Sequence, residues 1–402
     1  MVLLPVSDAL SRILKAARPT GRETVKLAGA LGRIAATDIK ARRNQPPFDA
    51  SAMDGYALRH EDVAQVPVTL RLIGTSAAGH GFKGQVKPGQ AVRILTGAPM
   101  PRGADTVVIQ ENVRTEGTMI LVQEPTAKGR NIRAQGLDFL KSDVLVPKGT
   151  RLGARDIGLA ASGNNPLIHV RMKPRVAVLT AGDELALPGA ALRKDQITSS
   201  NSHALCAFAL ACGAEVVDLG IIKDDLKAIK AAIQRAARCD ILVTTGGASV
   251  GDHDFVQEAL KGVGVKIDFW KIAMRPGKPF MFGTKGRLCV LGLPGNPVAA
   301  LVCAQLFLKP LIETTQGIAP SATRIMARLG ADLGANDQRQ DYLRATLVIA
   351  ADGARVATAA RKQDSSMQRV MRNSTCLIVR PPQAPLAKAG EMVEILLFPD
   401  GA

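Results

Sequence analysis

Short apolar runs alternate with longer amphipathic segments from about residue 175 onward. The apolar, β-branched runs predict strands over 175–180, 215–220, 240–245 and 288–293. The segments that follow predict helices over 200–213, 224–239, 252–262 and 296–313. Strands that alternate with helices of this length favour a parallel sheet built from right-handed β-α-β crossovers. This half of the chain is therefore predicted to contain an α/β domain.

The flanking regions show a different pattern. Four short β-rich segments separated by Gly and Pro lie at 68–74, 91–97, 105–113 and 119–125, and they predict an all-β module. Beyond Pro320, a hairpin is expected around Asp352-Gly353, followed by strands at 376–380 and 392–398. The chain is thus expected to carry β domains on both sides of the α/β domain.

The N-terminus predicts a helix of the fold. Leu10, Ile13, Leu14 and Ala17 recur at helical spacing behind Ser7, a plausible N-cap. The apolar stretch before Pro5 is too short for a secretory signal, and a transit peptide is the weaker alternative. No stretch of about 18 uncharged apolar residues is present, so we expect no membrane span.

The charge of the chain indicates an anionic ligand. Its 402 residues carry a formal net charge of +17 with a pI near 9.9. Nucleic acid, an anionic membrane and a phosphate-like substrate are all candidates for such a field. Aromatic residues make up only 3% of the chain, and basic residues form no long run, so we expect no nucleic-acid partner.

Cysteine and histidine give no sign of a metal or disulfide framework. The six cysteines form no C-x-x-C motif and lie mostly in apolar runs, which is typical of reduced core thiols in a cytoplasmic protein. The five histidines are scattered without ligand spacing, so a zinc site is not expected.

Three unusual loops follow predicted parallel strands, and the carboxyl ends of such strands meet at one crevice. The loop after 240–245 contains Gly246, Gly247 and Gly251, whose bare backbone could approach an anion. The alternative is a tight turn capped by Asp252. The loop after 175–180 carries Asp183 and Glu184, and the loop after 288–293 is Pro294-Gly295-Asn296-Pro297.

Carboxylates in these loops suggest a cation. Asp252, Asp254 and Glu184 could hold Mg2+, which prefers carboxylate and water oxygens. Asp224 and Asp225 follow another strand, where helix capping explains at least one of them.

Two further motifs suggest a site. Arg275 and Lys278, in RPGKP with Lys271 upstream, could hold an oxyanion, although ordinary surface charge is the alternative. The segment 46–58, PPFDASAMDGYAL, is either a packed strap or a lid that carries Asp54.

Seven motifs in this order resemble the molybdopterin molybdenumtransferase family. They are PPFDASAMDGYAL, AVRILTGAPMPRGADTVV, GRNIRAQGLDF, AVLTAGDEL, TTGGASVGDHDF, RPGKPFMFG and GLPGNPVAA. The resemblance covers about Ser7 to Phe398. It implies a multidomain α/β plus β fold, with a central parallel-sheet molybdopterin-binding domain. The implied domains are a helical linking domain (1–45 and 140–172), a β-rich domain (46–139), the α/β domain (173–318) and a C-terminal β-barrel-like domain (319–402).

The resemblance also implies an activity. Molybdenum from molybdate is inserted into adenylylated molybdopterin, AMP is released, and Mg2+ assists. The implied assembly is a homodimer whose active site is shared between subunits. A molybdopterin adenylyltransferase and molybdoenzymes or their chaperones are possible partners, and the location is cytoplasmic. A non-catalytic scaffold with the same domain set is the alternative.

The family motifs imply residue roles. Glu184 and Asp254 are assigned to the metal, and Asp54 is assigned a catalytic role across the dimer. The implied catalytic set is Asp54, Glu184, Asp224 and Asp254. The implied substrate-binding set is Thr96, Arg133, Asp138, Gly246, Gly247, Ser249, Gly251, Asp252, Lys271, Arg275, Lys278, Pro294, Gly295, Asn296, Pro297, Arg344 and Ser366. Asp364 departs from the family's usual glycine and would repel molybdate if it faced the anion.

Overall fold

The computed structural model describes residues 3–246 and 255–398. The chain forms two compact units, one made of residues up to Glu23 together with Arg171 onward, the other of Thr24–Val170. The helices are α1 (Val6–Ala16), α2 (Ala154–Ser162), α3 (Asn201–Ala211), α4 (Leu226–Arg235), α5 (Phe255–Gly262), α6 (Pro297–Cys303), α7 (Lys309–Thr315) and α8 (Gln368–Asn373). 

The first strands in chain order are β1 (Arg22–Lys26), β2 (Ile39–Lys40), β3 (Ala50–Ser51), β4 (Gly55–Leu58), β5 (Val68–Ser76), β6 (Gln90–Ile94), β7 (Thr106–Ile109), β8 (Val113–Glu116), β9 (Met119–Val122), β10 (Ile132–Arg133), β11 (Val144–Val146) and β12 (Leu167–Arg171). The later strands are β13 (Arg175–Ala181), β14 (Leu185–Ala186), β15 (Ile197–Thr198), β16 (Glu215–Ile222), β17 (Ile241–Thr245), β18 (Lys266–Trp270), β19 (Met274–Arg275), β20 (Met281–Lys285), β21 (Leu288–Leu293), β22 (Arg324–Leu329), β23 (Gln340–Ile349), β24 (Arg355–Ala359), β25 (Cys376–Arg380) and β26 (Met392–Leu397).

The larger unit is built on a six-stranded sheet in the order β16-β13-β17-β21-β20-β18. The first four strands are parallel, as their near-continuous apolar runs predicted, and β20 and β18 extend the sheet in antiparallel fashion. Alternate residues of β13 face opposite cores: Val176 and Val178 pack with one cluster, and Ala177 and Leu179 with the other. The α/β prediction is confirmed, and the antiparallel edge adds to it.

Helix α1 belongs to this unit. Its buried residues Val6, Ala9 and Ile13 pack in the same core cluster as Val176 on β13, because the amphipathic face needs an apolar surface to cover. The linking domain 1–45 that the resemblance implied stays a prediction. The expected N-cap is wrong, since Pro5 occupies that position and Ser7 lies inside the helix.

A continuous helical run fills one core of the unit. It consists of α6, a π-helical turn at Ala304–Leu308, and α7. By length and composition the run Pro297–Thr315 could cross a membrane, but 83% of that window is buried inside the protein. Such burial is typical of a core helix in a folded domain.

The end of the same unit is a small closed barrel. Strand β23 pairs with β24 on one side and β25 on the other, and β22 and β26 complete the ring. The predicted hairpin at Asp352-Gly353 is confirmed, with Gly353 at φ +79° where a left-handed residue is needed. The short β19 joins the edge of β23 in parallel, so the RPGKP segment contacts the barrel.

The second unit, Thr24–Val170, contains a six-stranded sheet in the order β7-β4-β6-β5-β9-β8. The four predicted β segments contribute β5, β6, β7 and β9, and β4 comes from the PPFDASAMDGYAL motif. Strand β4 is buried along its whole length, which explains the apolar character of the motif at Tyr56, whereas Phe48 and Met53 are exposed. A separate cluster around α2 packs Ala160 with Val146 and Val170.

Candidate active site

A cavity of about 640 Å³ lies at the carboxyl edge of the parallel strands. The predicted loops converge there: Ala181 ends β13 and Glu184 follows it, Gly246 follows β17, and the Pro294–Pro297 loop follows β21. Because parallel strands end at one edge, their loops meet in one crevice. The cavity therefore joins Glu184, Gly246, Pro294, Gly295, Asn296, Pro297 and Ser366, all of which were candidates from the sequence.

One side-chain amide ties three of these elements together. Asn201, the first residue of α3, donates from Nδ2 to the Gly295 carbonyl oxygen at 2.6 Å and to Thr245 Oγ1 at 3.0 Å. The Thr245 hydroxyl in turn donates to the Pro294 carbonyl oxygen at 3.1 Å. The position of the Pro294-Gly295 turn is thus fixed by hydrogen bonds from α3 and β17.

Gly246 needs to be glycine. Its φ is +82°, and a Cβ at this position would lie 2.0 Å from the Ala181 carbonyl oxygen. No L-residue with a side chain tolerates both the left-handed backbone and that clash. The bare backbone allows β17 and β13 to end side by side in the cavity wall.

A barrel segment closes one side of the cavity. Asn296 Nδ2 donates to Ser365 Oγ at 2.9 Å, and Gln368 Nε2 donates to Ser200 Oγ at 2.7 Å. Ser366 and Gln368 both line the cavity. The C-terminal barrel therefore contributes directly to a site formed mainly by the α/β sheet.

Asp364, which stands where the family usually has glycine, accepts hydrogen bonds within its own turn. Its Oδ1 accepts hydrogen bonds from the Ser366 backbone N–H at 2.8 Å and from Ser366 Oγ at 2.5 Å. These hydrogen bonds lower the pKa of Asp364, with a smaller contribution from the Arg344 charge. The carboxylate thus orders the 364–366 turn, and Ser366 donates its hydroxyl to it.

Asp183, Glu184 and Asp224 lie close enough for their charges to interact, and Glu184 lines the cavity. Burial raises the pKa of Asp224, and the negative charges of Asp183 and Glu184 raise it further. The Asp224 backbone N–H donates to Asp183 Oδ1 at 3.3 Å. Asp225 caps α4, accepting from the Ala228 N–H at 2.7 Å, so the capping prediction is confirmed for this residue. Repulsion among ionised carboxylates is what a bound cation would relieve.

Several predicted residues lie outside the described part of the chain. They are Gly247, Ser249, Gly251, Asp252 and Asp254. Among the residues that are described, no three His, Cys, Asp or Glu side chains form a group able to hold a metal ion.

The predicted cations do not line this cavity. In the described part of the chain, its lining holds hydroxyl, amide and apolar side chains with one carboxylate, Glu184, and no Lys or Arg. Lys271 has a left-handed backbone with φ +74°, and its Nζ lies 4.4 Å from the ring centroid of Trp270. Lys278 is exposed beside Pro279, which does line the cavity.

Arg275 and Arg344 are both engaged with the barrel. Arg275 pairs with Asp341 and, at 3.6 Å, with Asp337, and it lines a separate cavity of about 410 Å³. Arg344 is only 2% exposed, and within the described chain its Nε and Nη2 have no hydrogen-bond partner. Burial lowers the pKa of Arg344 to about 10, so it remains a cation at neutral pH.

The second unit presents Asp54 on its surface. Asp54 Oδ1 accepts hydrogen bonds from the Thr96 backbone N–H at 2.7 Å and from Thr96 Oγ1 at 2.8 Å. These bonds, with a small contribution from Arg93, lower the pKa of Asp54. Arg133 is exposed on β10, and Asp138 is exposed in the loop that follows. The structure thus joins Asp54 to Thr96 through two hydrogen bonds.

Several residues of the cavity were not predicted from the sequence. Thr180, Asn201, Thr245 and Gln368 carry polar groups that line or order it. Some of these residues could have been predicted from the sequence. Thr180 and Thr245 each end an apolar run, and Asn201 is the first residue of a helix.

Three family models match consecutive parts of the chain. Residues 4–163 match the MoeA N-terminal region (domain I and II), 177–314 match a probable molybdopterin binding domain, and 326–398 match the MoeA C-terminal region (domain IV). The 640 Å³ cavity is formed mainly by the second of these regions. Fold and site together define a multidomain protein with a molybdopterin-binding α/β domain.

Similar proteins extend along nearly the whole chain. A molybdopterin molybdenumtransferase of Haemophilus influenzae is 36% identical, with 98% of this chain and 99% of that protein covered. One of a Nostoc species is 36% identical over 94% of this chain and 89% of its own length. A crystal structure of a molybdopterin biosynthesis MoeA protein from Pyrococcus horikoshii has a TM-score of 0.88 at 32% identity, with 99% and 100% coverage. The chain belongs to the molybdopterin molybdenumtransferase family, and it is a transferase.

Proposed function

We propose that this chain inserts molybdenum from molybdate into adenylylated molybdopterin and releases AMP. The observation that carries the proposal is the 640 Å³ cavity in the region that matches the molybdopterin-binding domain. Its hydroxyl and amide groups, with Leu185, Ile197 and Pro279 as apolar walls, suit a heteroaromatic ring that carries many hydrogen-bonding atoms.

The anionic part of the substrate has suitable donors nearby. Helix α3 begins at Asn201, and Ser199, Ser200 and Asn201 line the cavity. The N-terminus of a helix presents free N–H groups and a partial positive charge, which favour phosphate. Gly246 leaves backbone accessible opposite this helix end, so the phosphoanhydride is proposed to lie between them.

Mg2+ is proposed to bind at the carboxylate end of the cavity. Glu184 lies in the lining, and burial together with the charges of Asp183 and Glu184 raises the pKa of Asp224, so a cation beside these carboxylates would be favourable. Glu184 and Asp254 are the proposed ligands, and Asp224 contributes charge beside them. A bound Mg2+ would neutralise phosphate oxygens of the substrate. The proposed role of the Glu184 and Asp254 side chains is to bind and orient the cation.

Asp54 is proposed to act in the active site of a partner subunit in a homodimer. The two Thr96 hydrogen bonds favour its ionised form and hold its carboxylate in one orientation. An oriented, ionised carboxylate is able to accept a proton or to order a water molecule. The enzyme is proposed to work in the cytoplasm, to receive its substrate from a molybdopterin adenylyltransferase, and to pass its product to molybdoenzymes or their chaperones.

Turnover of adenylylated molybdopterin tests the activity directly. The purified protein is mixed with this substrate, molybdate and Mg2+ under anaerobic conditions, and AMP and molybdenum cofactor are quantified. Both products are expected to form, with loss of activity in Asp54→Asn and Glu184→Gln. A non-catalytic scaffold would release no AMP under any condition.

Mixing the two inactive variants tests the shared site. If Asp54 acts in the partner's cavity, each mixed dimer contains one site with both native carboxylates. Random reassociation at equal amounts should then restore about a quarter of wild-type activity. Sites formed within single subunits would give no recovery.

A further inference from the structure

Thr180 carries a buried hydroxyl that has no partner within the described part of the chain. It is the second-last residue of β13, only 2% exposed, and it lines the 640 Å³ cavity. Its Oγ1 has no hydrogen-bond partner among residues 3–246 and 255–398. Residues 176 and 178 of the same strand place their side chains in the core on the α3 and α6 side, so strand alternation puts Thr180 on that face as well.

Thr245 provides an internal comparison. It pairs with Thr180 in the register of β13 and β17, lies on the same face of the sheet, and is fully buried. Its hydroxyl accepts from Asn201 Nδ2 at 3.0 Å and donates to the Pro294 carbonyl oxygen at 3.1 Å. Two threonines at equivalent strand ends thus differ in one respect, since only the hydroxyl of Thr245 has partners in the described chain.

An unpaired buried hydroxyl is unfavourable for folding. The group loses its hydrogen bonds to water on burial, and nothing in the described protein replaces them. Valine has nearly the same shape and would avoid this cost in an otherwise apolar strand. A hydroxyl at the cavity is favourable when a ligand supplies the missing partner.

The surroundings indicate which ligand this is. Thr180 lies next to Ala181, in a lining that holds no Lys or Arg within the described chain. A dianion such as molybdate would be left without a counter-charge there. The ring nitrogens, carbonyl and amino group of a pterin can pair with a hydroxyl, which both donates and accepts.

We propose that the Thr180 hydroxyl forms a hydrogen bond to the pterin ring of the substrate. The assignment rests on the proposed function of the cavity. It makes Thr180 a binding residue for the organic substrate, distinct from the groups that hold molybdate.

Thr180→Val tests the assignment because it removes the hydroxyl and keeps the shape. The melting temperature should stay the same or rise, while KM for adenylylated molybdopterin rises about tenfold and KM for molybdate stays the same. Thr180→Ser keeps the hydroxyl and should restore most of the lost affinity. In the matched variant, Thr245→Val, the melting temperature should fall because the Asn201 and Pro294 groups lose their partner.

Three results would overturn the assignment. A lower melting temperature of Thr180→Val would show that the hydroxyl is satisfied inside the protein. An unchanged KM for the pterin substrate, or a change in KM for molybdate alone, would also contradict it. Equilibrium binding of molybdopterin, followed by its fluorescence under anaerobic conditions, separates this inference from the proposed function. It tests Thr180 even if the wild type fails to transfer molybdenum, since equal affinities of wild type and Thr180→Val would refute the contact.

Discussion

The carboxylate of Asp54 is held by Thr96 through two hydrogen bonds to the same oxygen, from the backbone N–H at 2.7 Å and from Oγ1 at 2.8 Å. The two residues are 42 positions apart and come from the end of the β3–β4 turn and the loop after β6. The motif that contains Asp54 and the motif that contains Thr96 therefore meet at one carboxylate. Thr96 orients the Asp54 carboxylate and favours its ionised form.

Thr96→Val should raise the pKa of Asp54 toward its ordinary value. The substitution removes the hydroxyl bond and leaves the backbone bond, so the effect should be partial. Because the folded-state pKa of Asp54 is lowered, its contribution to stability is present above the ordinary value of 3.8 and is lost as pH falls through the folded value. Carboxyl carbon NMR titration measures the shift. Thr96→Ser should behave like wild type, and an equal pKa in wild type and Thr96→Val would contradict the assigned cause.

Asn201→Asp should disorder the Pro294-Gly295 turn. The change replaces the donating Nδ2 by an oxygen, which would face the Gly295 carbonyl oxygen that Nδ2 contacts at 2.6 Å. The buried Thr245 hydroxyl also loses its donor, and leaving a buried group without its partner costs about 1–3 kcal/mol. We expect a lower melting temperature and about a tenfold lower rate of molybdenum transfer.

Asn373→Asp is the control for Asn201→Asp. It introduces the same charge at an exposed position on α8. Calorimetry and transfer assays on both variants separate the local effect from that of added charge. Equal behaviour of the two variants would show that the Asn201 hydrogen bonds do not order the cavity.

Arg344→Met should keep or increase stability. The guanidinium is 2% exposed, two of its nitrogens have no partner in the described chain, and burial lowers its pKa to about 10. Because the guanidinium is charged below this pKa, its burial destabilises the folded protein at neutral pH. A methionine of similar length removes a poorly compensated charge. If Arg344 binds the oxyanion substrate, KM for molybdate should rise at least tenfold in the same variant.

Arg380→Met is the comparison for Arg344→Met. Arg380 is also buried in the barrel, at 7% exposure, but donates to the Gly334 carbonyl oxygen at 3.3 Å and to that of Pro385. Thermal unfolding of this variant should occur at lower temperature because both acceptors lose a partner. A similar loss of stability in Arg344→Met would mean that its guanidinium is well compensated.

Asp224→Asn should raise the melting temperature at pH 7. Burial and the charges of Asp183 and Glu184 raise the pKa of Asp224. A carboxyl with a raised folded-state pKa binds its proton more tightly when folded, so the wild type gains stability as pH falls through that value. The advantage of the variant should therefore shrink on acidification, which melting curves between about pH 4 and pH 8 would show.

Two further measurements complete this test: the melting temperature of Asp225→Asn, and the change in melting temperature on addition of Mg2+. Asp225 accepts from the Ala228 N–H at 2.7 Å as the N-cap of α4, and asparagine keeps an accepting oxygen there, so Asp225→Asn should change the melting temperature little. Added Mg2+ should stabilise the wild type more than Asp224→Asn if the cation binds beside this carboxylate. An equal Mg2+ response in both proteins would place the cation elsewhere.

The sequence by itself determined the α/β domain, the flanking β domains and the candidate loops. Apolar runs such as Ile241–Thr245 favour buried parallel strands in any fold, and parallel strands bring their following loops to one edge. That is why Glu184, Gly246 and Asn296 could be grouped without a structure. Local patterns also sufficed for the Asp352-Gly353 hairpin and for Asp225 as a cap.

Only the tertiary structure decided which polar groups are satisfied and which charges meet. Thr180 and Thr245 look equivalent in sequence, yet among the described residues the Thr245 hydroxyl has partners and the Thr180 hydroxyl has none, because Asn201 donates to Thr245. The role of Arg275 as an oxyanion ligand stays a prediction, and the structure adds that β19 joins the barrel and brings Arg275 to Asp341. Hydrogen bonds and ion pairs depend on distances between residues far apart along the chain, and periodicity carries no information about those distances.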